Sequence, residues 1–221
     1  MEPFCIYYDK KQDVSEIMYA KLIVSLTVIG IAYACTDGKD NVVDVADYSN
    51  GAYNVHFQNT QGQVYTSDRT PSCYKGEANL KLPGQLKLVS GTLVVKSNMN
   101  LMSNVEAKLT LKKDSSIIGK ICENGKSKNI LIPDKDCTIP LCNNAMEDPL
   151  CTLLEKAGTY DLSQIEKTLG ITATLSLPAL PSSFKGIIKG KWEAGVSLVV
   201  NGQVVADIKL PSNEKFIYID E

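Results

Sequence analysis

Side chains able to do chemistry are few in this sequence. His56 is its only histidine, so the usual general base is available once. It stands in a Val-His-Phe stretch with no nucleophile motif beside it and reads as an ordinary strand or surface histidine. Glu147 and Asp148 are adjacent carboxylates, better explained by a loop and a helix start than by acid–base work. Asn124-Gly125-Lys126-Ser127-Lys128 has phosphate-binding residue types but lacks the preceding glycine and the spacing of a P-loop, so it reads as a solvated turn. A four-thiolate zinc site is the competing reading for Cys122, Cys137, Cys142 and Cys151, but no Cys-x2-Cys pair supports it. No catalytic residue, metal or cofactor is assigned, and the chain is read as a non-enzyme. A net charge of −2 without a dense Lys/Arg cluster argues against a nucleic-acid partner.

The cysteines take their meaning from the N-terminus. The apolar run Leu22 to Ala34 has the length of a signal-peptide core and is short for a membrane span. Lys21 precedes it, Ala32-Tyr33-Ala34 is a small-x-small cleavage site, and Met18 is the expected true start. An uncleaved anchor is the alternative. Cleavage after Ala34 removes Cys5 and leaves six cysteines (Cys35, Cys73, Cys122, Cys137, Cys142 and Cys151), an even set suited to disulfides in an oxidising compartment. Their pairing stays open at this level.

The elements that would position anything come next. Residues 35–53 are rich in Asp, Asn and Gly and are expected to be a flexible lead-in, at most an edge strand, before a domain spanning 54–221. From there alternation dominates. Val105, Ala107, Leu109 and Leu111 share one strand face. Leu86 to Lys96 is apolar on both faces, with Leu86, Leu88 and Val94 opposed to Val89, Leu93 and Val95. Trp192, Ala194, Val196, Leu198 and Val200 share a face of a long strand; Asn201-Gly202 then predicts a tight hairpin, and Val204, Ala206, Ile208 and Leu210 return. One helix is expected, with Asp148 as N-cap, Leu150, Leu153, Leu154 and Ala157 as its apolar stripe, and Gly158 as C-cap. A strand ending at Leu177 runs into a proline-rich loop holding Leu180, Phe184 and Ile187, which reads either as a cover for the core or as a greasy rim.

From about Asn54 onward the chain resembles the lipid-recognition (ML) family, in particular its sphingolipid activators. Pro83-Gly84 opens a strand that leads to Leu109-Thr110-Leu111-Lys112-Lys113 and then to Ile118-Gly119-Lys120-Ile121-Cys122. A cysteine-rich loop ending at Cys151 is followed by Gly158-Thr159-Tyr160, and Leu177-Pro178-Ala179-Leu180-Pro181 precedes the last hairpin. The family's bridge between its last strand and its N-terminal part is missing: Val205-Ala206-Asp207 and Asn59-Thr60-Gln61 contain no cysteine. Cys35 and Cys73 are additional, and are expected to tie down the lead-in.

The resemblance implies an all-β fold, an immunoglobulin-like antiparallel β-sandwich splayed into a cup, with an apolar lipid cavity and one short helix. It implies a secreted or lysosomal protein that extracts and carries, or presents, single glyco- or phospholipids. Its partners would be the lipid, a transiently touched membrane and a lipid hydrolase. On that reading Val94, Leu109, Leu111 and Leu175 line the cavity together with Ala194, Val196 and Leu198; Leu177, Leu180, Phe184, Ile187 and Trp192 form its rim. The alternative is an immunoglobulin-like adhesion or signalling module with a solid core, although Trp192 follows every cysteine and so departs from the immunoglobulin Cys…Trp…Cys order.

Overall fold

The computed structural model describes residues 34–101, 104–142, 149–170, 173–212 and 214–221. The expected signal segment, Ala34 apart, lies outside them, as do Cys5, Met18 and the expected N-cap Asp148. Among the described residues no helix is long and apolar enough to cross a membrane.

The strands are β1 (Val42–Asp47), β2 (Val55–Thr66), β3 (Cys73–Tyr74), β4 (Glu77–Lys81), β5 (Gly84–Val95), β6 (Val105–Lys113), β7 (Lys120–Glu123), β8 (Lys126–Ser127), β9 (Thr138–Leu141), β10 (Gly158–Asp161), β11 (Thr174–Leu177), β12 (Gly190–Val200), β13 (Gln203–Leu210) and β14 (Ile217–Asp220). They form one curled sheet. Its first half runs β10 and β11 on β5, then β2, then β1. The second half runs β13, β12 and β6, with β7 and β9 beyond β6 and β14 with β4 beside β12. All but one of these strand pairings are antiparallel; β14 and β4 run parallel.

β1 joins the halves. It pairs with β2 from Val42↔Gln63 to Val45↔Thr60, then with β13 at Ala46↔Lys209 and Asp47↔Ile208. The expectation of a flexible lead-in is therefore corrected. Val43 and Val45 alternate into the core, which is what a half-buried strand requires. Asn41, fully buried, accepts from Gly38 N at 2.8 Å and donates to Val64 O at 3.1 Å, and Cys35 is bonded to Cys73. Cys122 is bonded to Cys137 and Cys142 to Cys151.

The predicted hairpin stands: Asn201 and Gly202 both take positive φ between β12 and β13. A bulge between Leu198 and Val199 turns Val204 outward, against the alternation expected of it. Among the described residues two α-helices are present where one helix was expected. The first, α1 (Pro149–Glu155), buries Cys151, Leu153 and Leu154, and Gly158 opens β10 instead of capping it. The second, α2 (Leu162–Leu169), starts at a capping box: Asp161 accepts from Gln164 N at 2.9 Å while Gln164 Oε1 accepts from Asp161 N at 3.0 Å.

Side chains from both halves of the sheet meet in two separate apolar clusters. One joins Val55, Leu93 and Val95 to Leu198, Val200 and Ala206 and is covered by α1 and α2 through Leu153, Leu154 and Ile165. The other joins Val43, Val64 and Leu86 to Leu111, Trp192 and Ala194, with Ile121, Ile132, Phe184 and Ile188 around them. A domain of this size usually has one contiguous core.

Candidate functional site

The interior face of the second half is built of cross-strand rows. Ala107, Leu198 and Ala206 form one row and are buried at 6%, 7% and 1% exposure. Two residues along, Leu109, Val196 and Ile208 form the next, and all three are only half-buried. Beyond it Leu111 and Ala194 are buried again. The middle row points inward, because each strand alternates without a break across these three rows. β12 gives Leu198 to one cluster and Ala194 to the other while Val196 belongs to neither, and Leu109 packs against the second. On the first half of the sheet, Leu175 stands opposite Leu86 on β5 and is likewise half-buried. These partly accessible apolar side chains are here called the seam.

Of the expected lining residues, Leu109, Val196 and Leu175 thus sit at the seam, while Leu111, Ala194 and Leu198 are buried in the clusters flanking it. Val94 is a correction. A bulge around Ser90 and Gly91 shifts the parity of β5, so that Leu86 and Leu88 face inward before it and Leu93 and Val95 after it. Val94 is left on the opposite face, beside His56 and Thr159. Gly91 makes this possible: its φ is +114°, and a Cβ there would lie 2.2 Å from Thr60 Oγ1.

The expected rim is turned inward as well. Phe184 and Trp192 are completely buried, and Leu177, Leu180 and Ile187 pack against the same cluster. The Trp192 indole donates to Ile188 O, which satisfies its buried N–H. The proline-rich loop is therefore a cover for the core. Lys113 lies 5.4 Å from the Trp192 ring and donates to Ile187 O; burial lowers its pKa from the ordinary value.

Among the described residues, the most exposed large aliphatic side chains lie elsewhere, in segments without apolar periodicity. Ile117 is 93% exposed, Ile130 is fully exposed and Leu131 is 70% exposed. They occupy the two loops flanking the β7–β8 hairpin, and both loops root in one cluster through Ile118 and Ile132. Lys120 and Lys128 stand beside them, both paired with Glu123, whose carboxyl these hydrogen bonds hold below its ordinary range.

His56 is buried on β2, away from the seam. Among the described residues no group of three or more His, Cys, Asp or Glu is placed to hold a metal. Among the described residues, surface grooves of about 740 and 250 Å³ open, each lined by both polar and apolar side chains. Neither is the apolar cavity that the resemblance implies. No family model matches the chain, and no curated protein matches it.

Proposed function

We propose that the chain binds a single lipid between the two halves of its sheet, an immunoglobulin-like cup, and carries it from or presents it at a membrane. One observation carries this reading: the inward row Leu109–Val196–Ile208 is only partly buried, while Ala107, Leu198 and Ala206 on one side of it and Leu111 and Ala194 on the other are buried. Apolar surface left accessible in mid-strand gains from covering by an acyl chain, at about 0.8 kcal/mol per methylene. Ile117, Ile130 and Leu131 supply a second support, since fully exposed isoleucines beside lysines suit brief insertion at a membrane surface. The three disulfides favour a secreted or lysosomal setting. The reading contains no catalytic step, so any hydrolysis belongs to a partner enzyme.

Transfer of a fluorescent phospholipid or glycosphingolipid between vesicles is the test. Transfer well above the spontaneous rate supports the proposal; protein that moves neither lipid defeats it. The burial of Phe184 and Trp192 favours a second reading, an extracellular adhesion module with a solid core. That reading predicts inertness in the same assay.

A further inference from the structure

The larger groove lies where β1 parts from β2. After Val45↔Thr60 the strand turns to β13, so the Val55–Asn59 stretch of β2 has a sheet partner only on its β5 side. The resulting gap of about 740 Å³ is lined by Asp44, Asp47, His56, Gln58, Gln61 and Ser90 among other polar residues, together with Val45, Ala46 and Phe57. This volume falls within the range of about 300–1,000 Å³ typical of small-ligand sites.

The chemistry of the lining narrows the occupant. It contains two carboxylates and no lysine or arginine, which argues against phosphate, sulfate or any other anion. The carboxylates are already engaged: Asp44 accepts from Gln61 Nε2 at 2.8 Å, and Asp47 accepts from Ser49 N at 3.0 Å, Ser49 Oγ at 2.6 Å and Gly51 N. Neither is a naked charge awaiting a cation. Side chains of this kind offer alternating donors and acceptors, as a ligand rich in hydroxyls requires.

His56 gives an independent pointer. The residue is only 8% exposed, and Nε2 lies 3.3 Å from Gln58 Nε2. Nδ1 is buried and has no hydrogen-bond partner. A buried ring nitrogen without a partner is costly, and a hydroxyl, which both donates and accepts, can satisfy it in either tautomer.

We infer that this groove binds an uncharged saccharide. The inference stands whether or not the interior takes a lipid. The sugar can be the head group of a neutral glycolipid or a free glycan, which offer the same hydroxyls.

The test is a two-dimensional NMR titration of the disulfide-bonded chain with lactose, cellotriose and N-acetylchitotriose. A parallel arm measures binding to phosphatidylcholine vesicles with and without glucosylceramide. At least one free sugar, or the glucosylceramide vesicles alone, should shift resonances of residues 44–61, Ser90 and Ser212. The first outcome identifies a free glycan, the second a head group. Gln58→Ala and Gln61→Ala, both at exposed positions, should each weaken binding about tenfold with Tm unchanged. Ser90→Trp should abolish it by filling the groove. Absence of shifts in both arms, binding that survives all three substitutions, or tighter binding of sulfated lactose than of lactose would overturn the inference.

Discussion

Leu109 on β6 and Val196 on β12 stand directly opposite each other in the ladder, both facing the interior and both half-exposed. One row away Ala107 and Leu198 are opposite each other and buried. On the proposed reading, the apolar surface left accessible between these buried ends is what the lipid would cover.

Val196→Phe should therefore be tolerated and should block the ligand. Tm is expected to hold or rise, because the added ring covers accessible apolar surface, while vesicle-to-vesicle lipid transfer falls at least about tenfold. A filled interior would respond in the opposite way, with overpacking costing about 1–3 kcal/mol in denaturant unfolding.

Ile117→Ser, Ile130→Ser and Leu131→Ser remove apolar side chains that solvent already reaches, so stability should change by no more than about 0.5 kcal/mol each. Vesicle association, measured by flotation, should weaken by roughly tenfold or more per substitution if these residues enter the bilayer surface.

The disulfides should differ in weight. Cys35–Cys73 closes a separation of 38 residues and Cys142–Cys151 one of 9. On the chain-entropy account, replacing the first pair by serine costs about 4 kcal/mol and the second about 2.5 kcal/mol. Losing the first should also release β1 from β2, which hydrogen exchange at Val43 and Val45 would register.

Asp47 makes stability acid-sensitive. Burial acts against its charge but is outweighed by hydrogen bonds from Ser49 and Gly51, with the nearby His56 adding to them, so its pKa lies below the ordinary 3.8. The unfolded chain takes up this proton first. The contribution is complete above about pH 4 and is lost as pH falls through the folded-state value. Thermal unfolding followed from pH 6 down to about 3 should show that loss, reduced in Asp47→Asn.

Strand content was legible in the sequence because alternation along β6, β12 and β13 dictates burial directly. The Asn201-Gly202 turn was legible because few residue pairs accept positive φ at both positions. β1 was not, because its order comes from long-range contacts: pairing on both edges, the buried Asn41 and the Cys35–Cys73 bond. The placement of Val94 was missed because a single bulge reverses parity, and only Gly91 hinted at it. The Asp161…Gln164 spacing carries the capping-box signature of α2. Leu109, Val196 and Leu175 were legible as inward residues, but their partial exposure depends on what the opposite half of the sheet presents, which periodicity does not encode.

Native mass spectrometry of the chain purified from its own secretory route, without detergent, addresses the central claim most directly. A population heavier than the disulfide-bonded polypeptide by the mass of one lipid, absent from Val196→Phe, is the predicted result. Wild-type protein at the bare polypeptide mass in every preparation, even after incubation with lipid vesicles, would contradict it.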